Sequence, residues 1–160
     1  MVKEGRDEPE AVFQSVAEVI VFAIGQEIKA RDFYRGFAAQ ATHPGVAKLC
    51  AEMAEEEDRH REMLENLKAG LPSGLADDRV TDLKISDYLR SFHPDPDADQ
   101  QDLLIAAMKG EARAEKLYLD LAERCTRPEI TEVLRRLAAE EGNHKDALEK
   151  EYDDNILGGN

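Results

Sequence analysis

A chain of 160 residues, 42% hydrophobic and 35% charged, with no Trp, 10 Gly and 6 Pro, has the size of one ordinary domain and a composition suited to helices rather than to disorder or an all-β fold. A single domain over residues 1–160 is therefore expected. The net charge of −14 argues against a nucleic-acid or anionic-membrane partner, since both need a basic face, and it suits cations.

Four segments carry helical periodicity without an internal Pro. The first, about residues 11–41, contains the only strongly apolar run, Val19 to Gly25, which is far shorter than the roughly 20 residues a membrane span requires. The residues before it do not read as a signal peptide. Glu27 sits in this segment on a stripe with Ile20, Ala23, Ala30 and Tyr34. A second apolar stripe, Val19, Phe22, Phe33 and Phe37, lies away from the Glu27 face; a bundle covers only part of such a stripe, so a homodimer is expected. After the tight break Thr42 to Gly45, the second segment, about 45–69, places Glu57 and His60 near Met53, Met63 and Leu64.

Residues 70–97 form a long connection with a short helix expected around Ile85 to Phe92. Its acidic end, "DPDADQQD", reads as a helix start capped by Asp97 or Asp99, because a calcium loop needs alternating ligands and a glycine. The third segment, about 98–125, sets Glu111 among Leu104, Ala107, Ala114 and Tyr118. A second tight break, Thr126 to Glu129, leads into the fourth, about 128–154, with Glu141 and His144. The sum is an all-α four-helix bundle, two antiparallel hairpins joined by a long crossover. Cys50 and Cys125 form no C-x-x-C pair and read as small buried hydrophobes, which fits a reducing cytoplasm.

The two hairpins repeat each other at an offset of 84 residues. Glu27 falls on Glu111, Tyr34 on Tyr118, Pro44 on Pro128, Glu56 on Glu140, Glu57 on Glu141, His60 on His144 and Leu64 on Leu148. A duplication with a pseudo-twofold axis is the simplest account. Any two amphipathic hairpins would match in apolar residues, but not in Glu and His on the inward face.

Glu and His three residues apart on a helix point along one face. That spacing occurs twice in register, Glu57 with His60 and Glu141 with His144. Glu27, Glu57, Glu111 and Glu141 each fall near the middle of their helix, so all four meet at one level of the bundle. Burying a carboxylate there costs several kcal/mol unless it is paired or ligates a metal. Four carboxylates and two neutral imidazoles carry −4, which two divalent cations cancel. No Lys or Arg lies on the central face at that level to do it instead, and Arg31 approaches only from the edge. Glu56 and Glu140, on the polar flank, are alternative ligands to Glu57 and Glu141. His43 and His93 read as surface residues.

The segments "AIGQEIKARDFY", "AEEEDRHREML", "KGEARAEKLY" and "AAEEGNHKDAL" resemble those of the ferritin-like di-iron proteins, most of all the bundle domain of rubrerythrin, over about residues 12–152. The resemblance implies a ferritin-like bundle holding two iron ions, with Zn or Mn as substitutes. It makes Glu27 and Glu111 terminal ligands, His60 and His144 the nitrogen ligands, Glu57 and Glu141 bridges, and Tyr34 and Tyr118 hydrogen-bond partners of ligand carboxylates. The implied activity is reduction of hydrogen peroxide or dioxygen. Iron oxidation for handling is an alternative, and a non-catalytic metal-holding bundle a further one. Two departures stand out. Paired C-x-x-C motifs for a rubredoxin-like centre are absent, so electrons are expected from a separate donor protein such as a rubredoxin. An extra Glu three residues after the helix-three ligand is replaced by Ala114, with Glu115 one position further round.

Overall fold

The computed structural model describes residues 11–72, 79–92 and 97–157. Four long helices make up the bundle: α1 (Val16–Gln40), α2 (Pro44–Ala69), α3 (Gln100–Arg124) and α4 (Pro128–Tyr152). Their ends follow from local chemistry. The Ser15 hydroxyl accepts the Glu18 N–H at the start of α1, and Asp99 and Asp102 form a reciprocal capping box at the start of α3. Pro44 and Pro128 open α2 and α4, where a missing N–H leaves no bond unmade. A π-helical turn, Asp153–Leu157, continues from α4.

The duplication extends to the helix boundaries. Ser15 and Asp99 cap at corresponding positions, as do His43 and Arg127, and the C-caps Ala41 and Cys125 also correspond. Only the chemistry of the caps has drifted.

The core lies in two apolar clusters. One gathers the N-terminal half of α1, the C-terminal end of α2, the C-terminal half of α3 and the N-terminal half of α4, with Ile20, Leu64, Leu121 and Leu134 among its members. The other gathers the opposite ends, with Phe37, Met53, Leu104 and Leu148. This arrangement makes α2 and α3 both antiparallel to α1, and α4 parallel to it. The crossover must therefore run the length of the bundle, and it does: Val80, Leu83 and Tyr88 join the first cluster, while Phe92 lies against the second.

Two expectations change on contact with this arrangement. Helix α1 starts at Val16 rather than near residue 11, because the preceding residues pair with the crossover. Phe13 N–H donates to the Leu83 carbonyl at 3.1 Å and Ile85 N–H to the Ala11 carbonyl at 3.0 Å, around a bridge between Val12 and Lys84. Among the described residues of the crossover, helical structure is confined to the 3-10 turn Ile85–Asp87, shorter than the helix expected through Phe92. The second stripe of α1 is also covered from within the chain. Val19 and Phe37 are buried, the Phe22 ring meets Phe13 edge-on at 5.3 Å, and Phe33 meets Phe92 at 6.3 Å. Phe22 and Phe33 stay half-buried, so the crossover and the residues before α1 cover the stripe in part. His93 lies outside the described residues. No helix among the described residues is long and apolar enough to cross a membrane.

Phe13 is 1% exposed and belongs to the core although it precedes the first helix. Phe13→Ala should cost about 3–5 kcal/mol in urea unfolding while leaving helix content by circular dichroism unchanged. A cost below ~1 kcal/mol would mean that this segment only rests on the surface.

Candidate metal centre

Between the two apolar clusters lies a polar layer. Glu27, Glu57, Glu111 and Glu141 are each at most 1% exposed, and His60 and His144 are buried beside them. The structure brings all six sequence-derived residues together. Their donor atoms fall into two overlapping groups, Glu27, Glu57, His60 and Glu141 in one, and Glu57, Glu111, Glu141 and His144 in the other; within each group these atoms lie inside 4.8 Å of one another.

Each half of the layer is oriented by the opposite hairpin. The Tyr34 hydroxyl of α1 donates to Glu111 Oε1 at 2.6 Å, and the Tyr118 hydroxyl of α3 donates to Glu27 Oε1 at 2.5 Å. His60 Nε2 of α2 lies 2.9 Å from Glu140 Oε2 of α4, and His144 Nε2 of α4 contacts Glu56 Oε2 of α2. The two imidazole rings stack at 5.6 Å with 15° between their planes. Glu56 and Glu140 are thus neither bare flank nor part of the inner set. An ionised carboxylate can only accept, so each fixes a proton on Nε2 and leaves Nδ1 as the nitrogen facing the inner carboxylates, His144 Nδ1 lying 3.0 Å from Glu57 Oε1.

Inside the layer the donor set outnumbers its hydrogen bonds. Glu27 Oε2, Glu57 Oε2, Glu111 Oε2, both Glu141 oxygens and His60 Nδ1 are buried without a hydrogen-bond partner. His60 Nδ1 approaches Glu141 Oε1 to 2.5 Å, yet the two are not aligned to bond. Buried polar atoms are ordinarily satisfied, so a convergent group of orphaned oxygens with inward lone pairs fits divalent cations.

The titration behaviour follows from the same crowding. Burial and the charge of Glu111 push the Glu57 carboxyl up to about 8. Burial and neighbouring carboxylates likewise raise Glu27 and Glu141 well above the ordinary range. Burial acts upward on Glu111 too, but its close approach to Glu141 and His144 and the charge of Arg90 outweigh it and hold that carboxyl low. For His144, burial is outweighed by its contacts with Glu111 and Glu56, and its imidazole rises to about 9. Without metal, protons do the work of cations in this layer.

Sequence reasoning missed Arg90. It enters from the crossover, its guanidinium 3% exposed, with Nη2 3.5 Å from Glu111 Oε1 and the group stacked over Phe92 at 5.1 Å. The expectation that no Arg reaches the central level fails because it considered the helices alone. Arg31 stays at the edge, bonded to Asp58 at 2.8 Å. A trace of Arg90 was present in the repeat, which breaks beside both terminal Glu residues, at Gln26 and Gly110. Gln26 Oε1 accepts the Arg90 backbone N–H at 3.1 Å, and a Cβ on Gly110 would sit 2.9 Å from Arg90 Nε.

The rubrerythrin family profile matches residues 18–88 and 102–158. Among solved structures, a hypothetical protein from Pyrococcus furiosus is 26% identical, with a TM-score of 0.71 over 91% of this chain and 93% of that one. A Thermotoga maritima protein described as a ferritin-like diiron-carboxylate protein is 18% identical, with a TM-score of 0.70 over 90% and 96%, and it shares the fold. No protein of curated function matches the chain.

The raised groups fix a pH dependence. A group whose folded pKa lies above its unfolded value stabilises below the unfolded value and loses that contribution as pH rises through the folded one. For Glu57 the window runs from 4.5 to about 8, and for His144 from 6.5 to about 9. Glu111 acts only below 4.5, outside both windows. The melting temperature of the metal-free protein, by calorimetry, should therefore fall between pH 6 and pH 9, and a divalent metal should restore it at the alkaline end. A rise over that range would contradict the assignment.

Proposed function

The chain belongs to the rubrerythrin family, and we propose that it is a di-iron oxidoreductase that reduces hydrogen peroxide, recycled by electrons from a separate donor protein such as a rubredoxin. The observation that carries this reading is the overlap of the two four-residue groups: Glu57 and Glu141 belong to both, while Glu27 with His60 and Glu111 with His144 belong to one each. On that pattern Glu57 and Glu141 would be shared between two ions, and each ion would take one further carboxylate and one imidazole Nδ1. When bound there, two ferrous ions supply the two electrons that, with two protons, convert one hydrogen peroxide into two waters.

The protein's own groups do the rest. Tyr34 and Tyr118 fix the oxygens of Glu111 and Glu27, so the carboxylates meet their ions without reorganising. Glu140 and Glu56 hold the imidazole tautomers and, being 37% and 39% exposed, link the buried rings to solvent as a route for protons. The apolar clusters on either side exclude water from the bundle axis. A second reading, iron oxidation for handling, is favoured by one feature: Ala114 stands where the resemblance calls for an extra carboxylate, and it is buried against apolar neighbours.

Protein purified from iron-replete cells should hold about two ions per chain, since one ion leaves buried carboxylates uncompensated. Glu57→Gln or Glu141→Gln should lower occupancy of both ions, and His60→Ala or His144→Ala mainly of one, by elemental analysis. Less than about half an ion in the wild type would remove the site.

The reaction itself is tested by rapid mixing of the anaerobic reduced protein with one equivalent of oxidant, following ferric absorbance. Peroxide should react faster than dioxygen, because peroxide needs only the two electrons the pair can supply together. A dioxygen rate equal to or above the peroxide rate would leave the iron-handling reading in its place.

A further inference from the structure

Arg90 breaks the twofold symmetry of the polar layer, and its position is built rather than incidental. Its backbone N–H is held by Gln26. The crossover just before it is pinned by Arg113, which donates to the Leu89 and Ser86 carbonyls at 2.8 and 3.3 Å, and by Tyr88, which donates to Asp120 at 2.6 Å. Gly110 supplies the space that the guanidinium occupies. Of its polar atoms only Nη2 reaches toward a carboxylate; Nε and Nη1 are buried with no hydrogen-bond partner. Burying a guanidinium with two unused donors is costly, and such donors suit an anion.

The charge balance gives the anion a role. Four ligand carboxylates and Arg90 carry a net −3. One divalent ion leaves −1, and a second leaves +1, an excess positive charge in a buried layer. That excess sits on the Glu111 side, where Arg90 repels a cation while lying 3.5 Å from Oε1, the oxygen that Tyr34 also holds. Glu27 has the matching tyrosine bond, but among the described residues no guanidinium pairs with it, and its chain neighbour Gln26 is neutral and buried.

We propose that Arg90 makes the two metal positions unequal: the Glu27–His60 position fills first, and the Glu111–His144 position fills tightly only together with a small monoanion such as azide or hydroperoxide held against the free guanidinium donors. This rests on the ligand assignment above and adds to it an anion subsite and an order of filling. Under peroxide-reducing conditions the deprotonated substrate would be the monoanion that completes the site.

Cobalt(II) titration of the metal-free protein, read by visible absorption and calorimetry with and without azide, tests both parts. Two steps are expected, separated by about tenfold or more in affinity, with azide tightening only the second. His144→Ala should keep the tight step, and His60→Ala should lose it. In Arg90→Gln the steps should merge and the azide effect disappear. Gly110→Ala, which displaces the guanidinium without removing its charge from the chain, should change both in the same direction. Two equal, azide-insensitive steps in the wild type would overturn this inference while leaving the two-metal reading intact, and that measurement needs no variant to fold. Unchanged behaviour in Arg90→Gln would overturn it as well. A wild-type protein that binds no cobalt would overturn the ligand assignment and this inference with it.

Discussion

Four carboxylates at one level of a closed bundle impose a requirement that the surrounding structure has to meet. An ionised carboxylate removed from water costs several kcal/mol, and carboxylates within a few ångströms raise one another's cost further. The chain answers with tyrosine hydroxyls on two outer oxygens, imidazoles facing the inner ones and one guanidinium from outside the helices. Even so, a set of inner oxygens is left without partners. That residue of unmet bonding separates a metal-binding layer from an ordinary buried ion pair, whose members would satisfy each other. It also explains the split core, since the layer cannot be crossed by apolar side chains and the hydrophobic packing closes independently above and below it.

The supports are reciprocal. Each tyrosine and each rim glutamate acts on a buried carboxylate or imidazole of the other hairpin, so neither hairpin carries a finished half of the layer. The two halves within a hairpin are joined by tight turns opened by proline, and the hairpins meet across the layer itself. Hairpin association and site assembly are therefore one event energetically. The crossover and the residues before α1 then pack along the aromatic flank of α1 and cover part of a stripe that the four helices alone would leave open.

The parts legible in the sequence were those governed by periodicity. Glu27, Glu57, His60, Glu111, Glu141 and His144 stand at helical spacings and recur at a fixed offset, and an inward-facing charge on an apolar stripe is visible without coordinates. Helix ends were legible to within a few residues wherever Pro or a capping Asp stood. What escaped lay in segments without a period. Arg90 comes from a connection whose path over the bundle depends on tertiary contacts, and the β-bridge that shortens α1 joins residues far apart in the chain. That the crossover and the residues before α1 would cover part of the second stripe escaped for the same reason. Glu56 and Glu140 were a different case: the repeat marked them, but their role depends on which imidazole nitrogen faces outward, a matter of side-chain direction rather than spacing.

The pairing of helix caps and hydrogen bonds across the two halves has a consequence for how such a centre can change over time. Two identical hairpins meeting on an axis can alter their shared interior only in pairs: any charge gained by one copy is gained by both, and the parity of the total is locked. Once the copies are joined by a linker, that linker is unique. It can contribute a single side chain to the middle of the assembly, and a position that was one residue can become two different ones, as glutamine and glycine have beside the two terminal glutamates. Fusion thus gives access to odd charge counts, and with them to a centre whose two ends no longer have to do the same thing.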